Sequence, residues 1–446
     1  MNANSHEIER VAKGGGTTMA NPLLFAEQLA SPGNQAEIVV VSAPGINETL
    51  GHDTKLTDLL DSYSQRLYPT RQGGLSIQSH MADIAKVLDP VGADDTIQRV
   101  VENVPKDLEY WRQNGAPIMA LGEKWSAQIF AAHTDREFVD ASHVIRFNRN
   151  GEVDHGATYV SIRRELSDGF EYVVPGFYGA DSQGRIHLLG RGGSDITGAL
   201  IATSLSAGSY HNWSDVSGFM TANPALVEHA QLLPEITQRE AREMYMGCEL
   251  LHRDVLRYVG ATGIPIHMRN TFDVPTAQGT IVTRERDWRA SPIVGVVGKS
   301  DLVELALHDF GMNEQVGGTT DVFQLLSENG IPYEHAATST DDLSIIFEEK
   351  YAKNLPYKMH GLEQMSRKAV VRPIGAVRIV GEGLANSGNT RSRLLGRVAT
   401  AFSDSDIEVF GMTDAPNCAS LTFFVNPDQA NVNDAVNVAH QAVFEG

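Results

Sequence analysis

The chain has 446 residues, more than one hydrophobic core accommodates, and two or three domains are expected. Hydrophobic residues supply 42% and charged residues 21%, which excludes a disordered chain and fits a globular one. A formal net charge of −20 repels nucleic acid and anionic membranes, so neither is expected as a partner.

From the N-terminus, a short apolar stretch, Ile8 to Ala12, runs into Lys13-Gly14-Gly15-Gly16-Thr17-Thr18. Ile38 to Val41 (IVVV) predicts a buried strand ending in Ser42-Ala43-Pro44-Gly45. Pro117 to Leu121 (PIMAL) predicts a second strand, ending in Gly122-Glu123, and Tyr172 to Pro175 (YVVP) a third, ending at Gly176. Helical patterns follow, at Trp125 to His133 and Ala199 to Ala207. Strand, glycine-bearing loop and helix, repeated, define an open, largely parallel α/β sheet. Ligands of such sheets sit at the carboxyl ends of the strands.

The polar segment Arg284 to Pro292 reads as a linker and closes a first domain, 1–290. In the block 291–368, strands are expected at Ile293 to Val297, near Pro332 to Ala336 and at Leu343 to Phe347, with a helix at Asp321 to Glu328. In the block 369–446, strands are expected at Ala376 to Val380, Ile407 to Phe410 and Leu421 to Val425, and helices at Ser392 to Ser403 and Val432 to Val443. The related βαββ order predicts two small α+β domains.

Two cysteines, Cys248 and Cys418, make no disulfide framework and fit a reducing compartment. The opening MNANSHEIER lacks the apolar core of a signal peptide, and no run of about 18 apolar residues occurs. A cytoplasmic protein is expected.

Four clusters carry candidate chemistry. In KGGGTT, Gly15 and Gly16 let backbone N–H groups approach phosphate oxygens, with Lys13 adding a charge and Thr17 a donor; a flexible linker reads equally well. In Gly190-Arg191-Gly192-Gly193-Ser194-Asp195, Arg191 can grip a carboxylate in bidentate fashion and Asp195 can orient a lysine or bind an ammonium group. A hairpin turn is the structural alternative, but it leaves Arg and Asp bracketing three small residues unexplained. Glu123, after a strand end, reads as a helix N-terminal charge as readily as a ligand. Ser214 and Asp215, in NWSDVSGFMTANP, suit either a nucleotide contact or an Asx-type turn. The 15 histidines show no metal-binding spacing, so no protein-held metal is expected.

Taken in order, KGGGTT, VVSAPG, Thr57-Asp58-Leu59-Leu60, LGEKWSA, VVPGFYGAD, LGRGGSD, WSDVSGF, MGCELLH, IPIHMRNTF and GTIV resemble the aspartate kinases through residues 9–283. The remainder resembles the tandem ACT domains that complete such enzymes. The resemblance implies an amino-acid kinase fold followed by two ferredoxin-like ACT domains. It implies Mg²⁺–ATP as phosphoryl donor and L-aspartate as acceptor, in the step that opens lysine, threonine and methionine synthesis. By motif, Lys13 meets the transferred phosphoryl group and Asp195 organises that side. Arg191, Ser194 and Glu123 hold the α-groups of aspartate, and Thr57 lies near its β-carboxylate. Gly15, Gly16, Thr17, Ser214 and Asp215 are expected at the nucleotide. A homodimer through the ACT domains is implied.

Lysine or threonine is the expected feedback ligand. It would be held by the loop Met312 to Thr320, with Gly317 and Gly318, and by Glu334 on the facing strand; a purely dimerising block is the alternative. The chain departs from the family at Gly14 (usually Phe), Thr18 (Ser), Asn223 and Ala225 (Asp and Arg) and Glu249 (Lys in some branches). The lost cations fall on the expected ATP side. They leave open a weakened homologue that serves as an amino-acid-binding regulatory subunit.

Overall fold

The computed structural model describes residues 8–65, 71–167, 169–248, 250–314, 316–355, 368–414 and 418–445. Glu249 and Gln315, the latter within the Met312 to Thr320 loop, lie outside them. Two compact units result. One comprises Met1–Phe219, Leu232–Gln238 and Leu250–Arg286; the other comprises Met220–Gln231, Arg239–Glu249 and Asp287–Gly446.

The first unit is built on strands β1 (Arg10–Gly14), β2 (Ile38–Val41), β3 (Glu137–Phe138), β5 (Tyr172–Pro175), β8 (Ser209–Ser214), β9 (Glu235–Thr237), β10 (Ile266–Asn270) and β11 (Ile281–Thr283), in the order β3-β5-β2-β1-β8-β10-β11-β9. All pairings are parallel except β10 with β11. Val39, Val40 and Val41 are wholly buried, as expected of a parallel strand covered on both faces. The register sets Gly14 beside both Val41 and Trp213, and Val41 beside Pro175. The loops after β1, β2, β5 and β8 therefore leave the sheet at one edge. A small side sheet joins β4 (Arg146–Phe147), β6 (Tyr178–Asp181) and β7 (Ile186–Leu188).

The strand expected at Pro117 to Leu121 is absent. A 3₁₀ turn at Ile118–Ala120 leads directly into the helix Leu121–His133. A short buried apolar run does not distinguish strand from buried helix, and here the helix won. Gly122 is required in its first turn, because a Cβ there would lie 2.8 Å from the Cβ of Ala43. The helix expected from Ala199 begins earlier and spans Gly193–Leu205, so the glycine loop is itself its first turn.

The second unit contains one six-stranded antiparallel sheet: β12 (Gly295–His308), β13 (His335–Thr338), β14 (Asp342–Glu348), β15 (Lys368–Val380), β16 (Val409–Thr413) and β17 (Ser420–Val425), in the order β13-β14-β12-β15-β17-β16. The strands expected at Ile293 to Val297 and Ala376 to Val380 are the ends of much longer strands. β12 runs through polar Lys299 and Ser300, where its pairing with β15 breaks register before resuming at Leu302. The two blocks thus share a sheet but keep separate cores. Leu305, Ile345 and Phe347 pack with Val322 and Leu326 of the helix Thr320–Glu328. Val377, Ile379 and Phe423 pack with Val398 and Phe402 of Gly388–Asp404 and Val436 of Gln429–Phe444. The α/β reading followed by βαββ blocks holds. No helix among the described residues is long and apolar enough to cross a membrane.

Candidate active site

At the edge where β1, β2, β5 and β8 end, the first unit holds a cavity of about 750 Å³. Lys13, Gly16, Thr17, Thr57, Glu123, Arg191, Ser194, Asp195 and Asp215, all expected from the sequence, line it.

Lys13 projects from the end of β1 and is buried, with Nζ 2.8 Å from Oδ1 of Asp195. Asn212 Nδ2 donates to the same oxygen at 3.1 Å, so Asp195 is fixed from two sides. Gly15 makes room for this arrangement. Its N–H donates to the Trp213 carbonyl at 3.0 Å, and a Cβ would stand 3.2 Å from Lys13 Nζ. Gly45 N–H donates to the Gly16 carbonyl at 2.8 Å, and a Cβ at Gly45 would lie 2.9 Å from the Gly16 carbonyl carbon. The KGGG segment is therefore a close-packed loop rather than a linker. Thr17 Oγ1 donates to Asp215 Oδ2 at 3.4 Å.

The helix Gly193–Leu205 aims its N-terminus at the cavity. Its unpaired first-turn N–H groups and dipole favour an anion there. Gly192, at the N-cap, has φ +73°, and a Cβ would lie 2.4 Å from the His252 ring. Phe177 holds φ +75°, a costly conformation for an aromatic residue, and its N–H donates to Thr197 Oγ1 at 3.3 Å. The preceding Gly176 lies so close to Ser194 that an added Cβ would be 2.5 Å from that side chain. The family-like glycines thus serve close approach between two loops as much as anion binding.

Glu123 occupies the first turn of Leu121–His133 and is 4% exposed. Burial pushes its carboxyl up to about 8, and backbone N–H donors at Ala43 and Glu123 only partly offset this. Oε2 has no hydrogen-bond partner among the described residues. A buried carboxyl with one orphaned oxygen on a cavity wall is poised for a cationic ligand. Arg191 is exposed and makes no ion pair or hydrogen bond with a described residue.

Two expected residues fall elsewhere. Gly15 is a spacer behind the wall. Ser214 is spent locally, its hydroxyl exchanging hydrogen bonds with Val216 N and O at 3.3 Å, so the turn reading applies to it while Asp215 reaches the cavity. Sequence reasoning passed over Ser42, Glu48, Lys55 and Phe177, which also line the space. Lys55, two residues before Thr57, was the legible signal among them. Asn223 and Ala225 belong to the second unit, where Asn223 Oδ1 accepts the Ala225 N–H at 3.0 Å.

In the second unit Met312 is a core residue, packed with Val322 and Leu326. Gly317 has φ +80°, as a turn glycine does. Glu334 lies near the buried Arg378, whose charge it balances together with Glu243. A cavity of about 170 Å³ in this unit is lined by Glu304, His335, Arg372, Phe410 and Phe424 among others, and by none of Met312, Gly317, Gly318 or Glu334.

Residues 10–270 match the amino acid kinase family, and the chain belongs to it. Over 98% of its length it is 27% identical to Aspartokinase 3 of Bacillus subtilis, spanning 99% of that protein. Its structure aligns with the aspartate kinase of Clostridium acetobutylicum at a TM-score of 0.81, with 26% identity over 98% of this chain and 100% of that one. It shares its fold with Escherichia coli aspartokinase III, solved in complex with aspartate and ADP, at a TM-score of 0.74 and 23% identity over 98% of this chain and 100% of that one. The likeness to the aspartate kinases read from the motifs is borne out across the chain.

Proposed function

We propose that this chain transfers the γ-phosphoryl group of Mg²⁺–ATP to the side-chain carboxylate of L-aspartate, giving 4-phospho-L-aspartate. The observation that carries the reading is one cavity that joins the buried Lys13–Asp195 pair to the orphaned carboxyl of Glu123. The full-length likeness to proteins named aspartokinase supports it.

The acceptor carboxyl, with an ordinary pKa of about 3.9, is already ionised at neutral pH, so no general base is required. The barrier is the approach of one anion to another, and the protein's task is to position and neutralise them. Lys13 and the N–H groups of Gly16 and Thr17 would meet the phosphates. Asp195 fixes Lys13 rather than the substrate. Arg191 would take the α-carboxylate as a bidentate partner, with Ser194 and the helix N-terminus beside it. Glu123 would take the α-ammonium group, and that cation would draw its pKa down. Thr57 would lie at the side-chain carboxylate. Mg²⁺ would enter as part of the nucleotide substrate, and Asp215 would supply a carboxylate of the kind such an ion uses alongside phosphates.

In this reading residues 1–290 catalyse, 291–368 and 369–446 are ACT domains that join two copies and sense a feedback amino acid, and the enzyme opens lysine, threonine and methionine synthesis in the cytoplasm. The alternative of a weakened, amino-acid-binding regulatory subunit rests on the departures at Ala225 and Glu249, and the retained Lys13–Asp195 pair favours activity. The test is Mg²⁺- and ATP-dependent hydroxamate formation from L-aspartate in the presence of hydroxylamine. Aspartate binding without product above a no-enzyme control would restore the regulatory reading.

A further inference from the structure

The cavity carries three cations, Lys13, Lys55 and Arg191, and the motifs account for only two of them. Lys13 is neutralised by Asp195. The side chain of Lys55 makes no ion pair or hydrogen bond with a described residue. In a protein with 56 acidic against 36 basic side chains, a lysine left without a carboxylate at the rim of a cavity is a place for an incoming anion.

Its backbone is held firmly, so the placement is built in. Lys55 occupies the N-cap position of the helix Leu56–Ser64, and its side chain makes no capping bond. On one side, Leu56 is completely buried and its N–H donates to the Pro44 carbonyl at 3.3 Å. On the other, Asn47 and His52 exchange backbone hydrogen bonds at 2.9 Å. The His52 ring stacks on His80 with centroids 3.7 Å apart, and its Nε2 lies 3.1 Å from Asp83. The segment that presents Lys55 is thus pinned to the helix Arg71–Leu88. Thr57, on the same first turn, faces the same cavity.

We infer that Lys55 is the cation that receives the acceptor anion, the side-chain carboxylate of the amino-acid substrate, and so sets selectivity for an acidic side chain. This rests on the reading of the site as an aspartate kinase. Arg191 and Glu123 satisfy groups that every α-amino acid carries and cannot by themselves tell aspartate from its neutral isostere. Lys55 supplies the missing discrimination. In the transfer step a carboxylate oxygen forms the new bond to the γ-phosphorus. The bond from that phosphorus to the β,γ-bridging oxygen breaks, and its electron pair leaves with ADP; no proton moves. Lys55 holds the attacking oxygen's carboxylate near a polyanion it would otherwise avoid.

The experiment compares binding of L-aspartate and L-asparagine by calorimetry in the wild-type protein and in Lys55→Gln, Lys55→Arg and Arg191→Ala. The wild type is expected to prefer aspartate. Lys55→Gln should lose about tenfold to hundredfold in aspartate affinity, the worth of a charge-assisted hydrogen bond, and leave asparagine unchanged. Lys55→Arg should restore most of the preference. Arg191→Ala should weaken both ligands alike. Equal losses for both ligands in Lys55→Gln, no loss, or a loss confined to ATP would each overturn the assignment of Lys55. A wild type that binds neither amino acid would instead overturn the underlying function.

Discussion

Replacing Glu123 by glutamine should separate stability from binding at one atom pair. In the folded protein the carboxyl is held up near 8 against an ordinary value of 4.5, chiefly by burial. The unfolded chain ionises above 4.5 while the folded one stays protonated. Stability is therefore full below that value, falls as pH rises toward 8, and is flat beyond. The slope is about 1.4 kcal/mol per pH unit, so the folded state gives up about 4 kcal/mol between about pH 5 and pH 8. A glutamine side chain has no proton to lose, and the Glu123→Gln variant should gain on the wild type by that amount across the interval. Its amide nitrogen brings a pH-independent cost of about 1–3 kcal/mol where Oε2 finds no partner, so the slope and not the offset is diagnostic. Urea denaturation of both proteins at several pH values gives the difference. The same ionisation predicts release of about one proton on binding L-aspartate near neutral pH, as the ligand's ammonium group pulls Glu123 into its charged form. Calorimetry in buffers of different ionisation enthalpy reads it, and the glutamine variant should release none while binding aspartate at least about tenfold more weakly. A pH-independent stability difference together with no proton release would refute the assignment of Glu123 as a neutral carboxyl awaiting a cation.

Lys13→Ala should lower kcat by about a hundredfold or more while leaving aspartate affinity nearly intact, because its charge matters most as the phosphoryl group transfers. It also leaves Asp195 without its cation, so Lys13→Arg is the control for folding. Gly192→Ala combines a left-handed φ with a Cβ 2.4 Å from His252; it should cost about 2–4 kcal/mol of stability in thermal melts and reduce aspartate affinity, whereas Gly396→Ala, which meets nothing within 4 Å, should be neutral or better. Lysine and threonine, titrated singly and together, should inhibit the wild type, and Glu334→Ala should blunt inhibition by shifting the charge balance at Arg378. Binding without any change in activity would reject feedback through this unit.

Much of this protein was legible in its sequence, for physical reasons that can be named. Continuous runs of β-branched residues such as IVVV suit a parallel strand buried on both faces. Glycine loops at their ends follow, so the residues Lys13, Arg191, Ser194, Asp195 and Asp215 could be placed on one edge before any coordinates. Helix against strand at PIMAL was not decided locally, because burial is compatible with both; only packing of Gly122 on Ala43 settled it. Nor could composition tell that the second-unit strands continue past a polar break, since pairing of β12 with β15 on both sides of that break carries them on. The state of Glu123 is wholly a tertiary matter. A glutamate after a glycine reads as an ordinary helix-end charge. It becomes a neutral carboxyl only because the surrounding core excludes water from it, an effect that the backbone N–H donors at Ala43 and Glu123 only partly offset. Lys55 carries the converse lesson: its identity is plain in the sequence, but that no described carboxylate answers it depends on which of 56 acidic side chains the fold brings near, and a one-dimensional chain does not contain that distance.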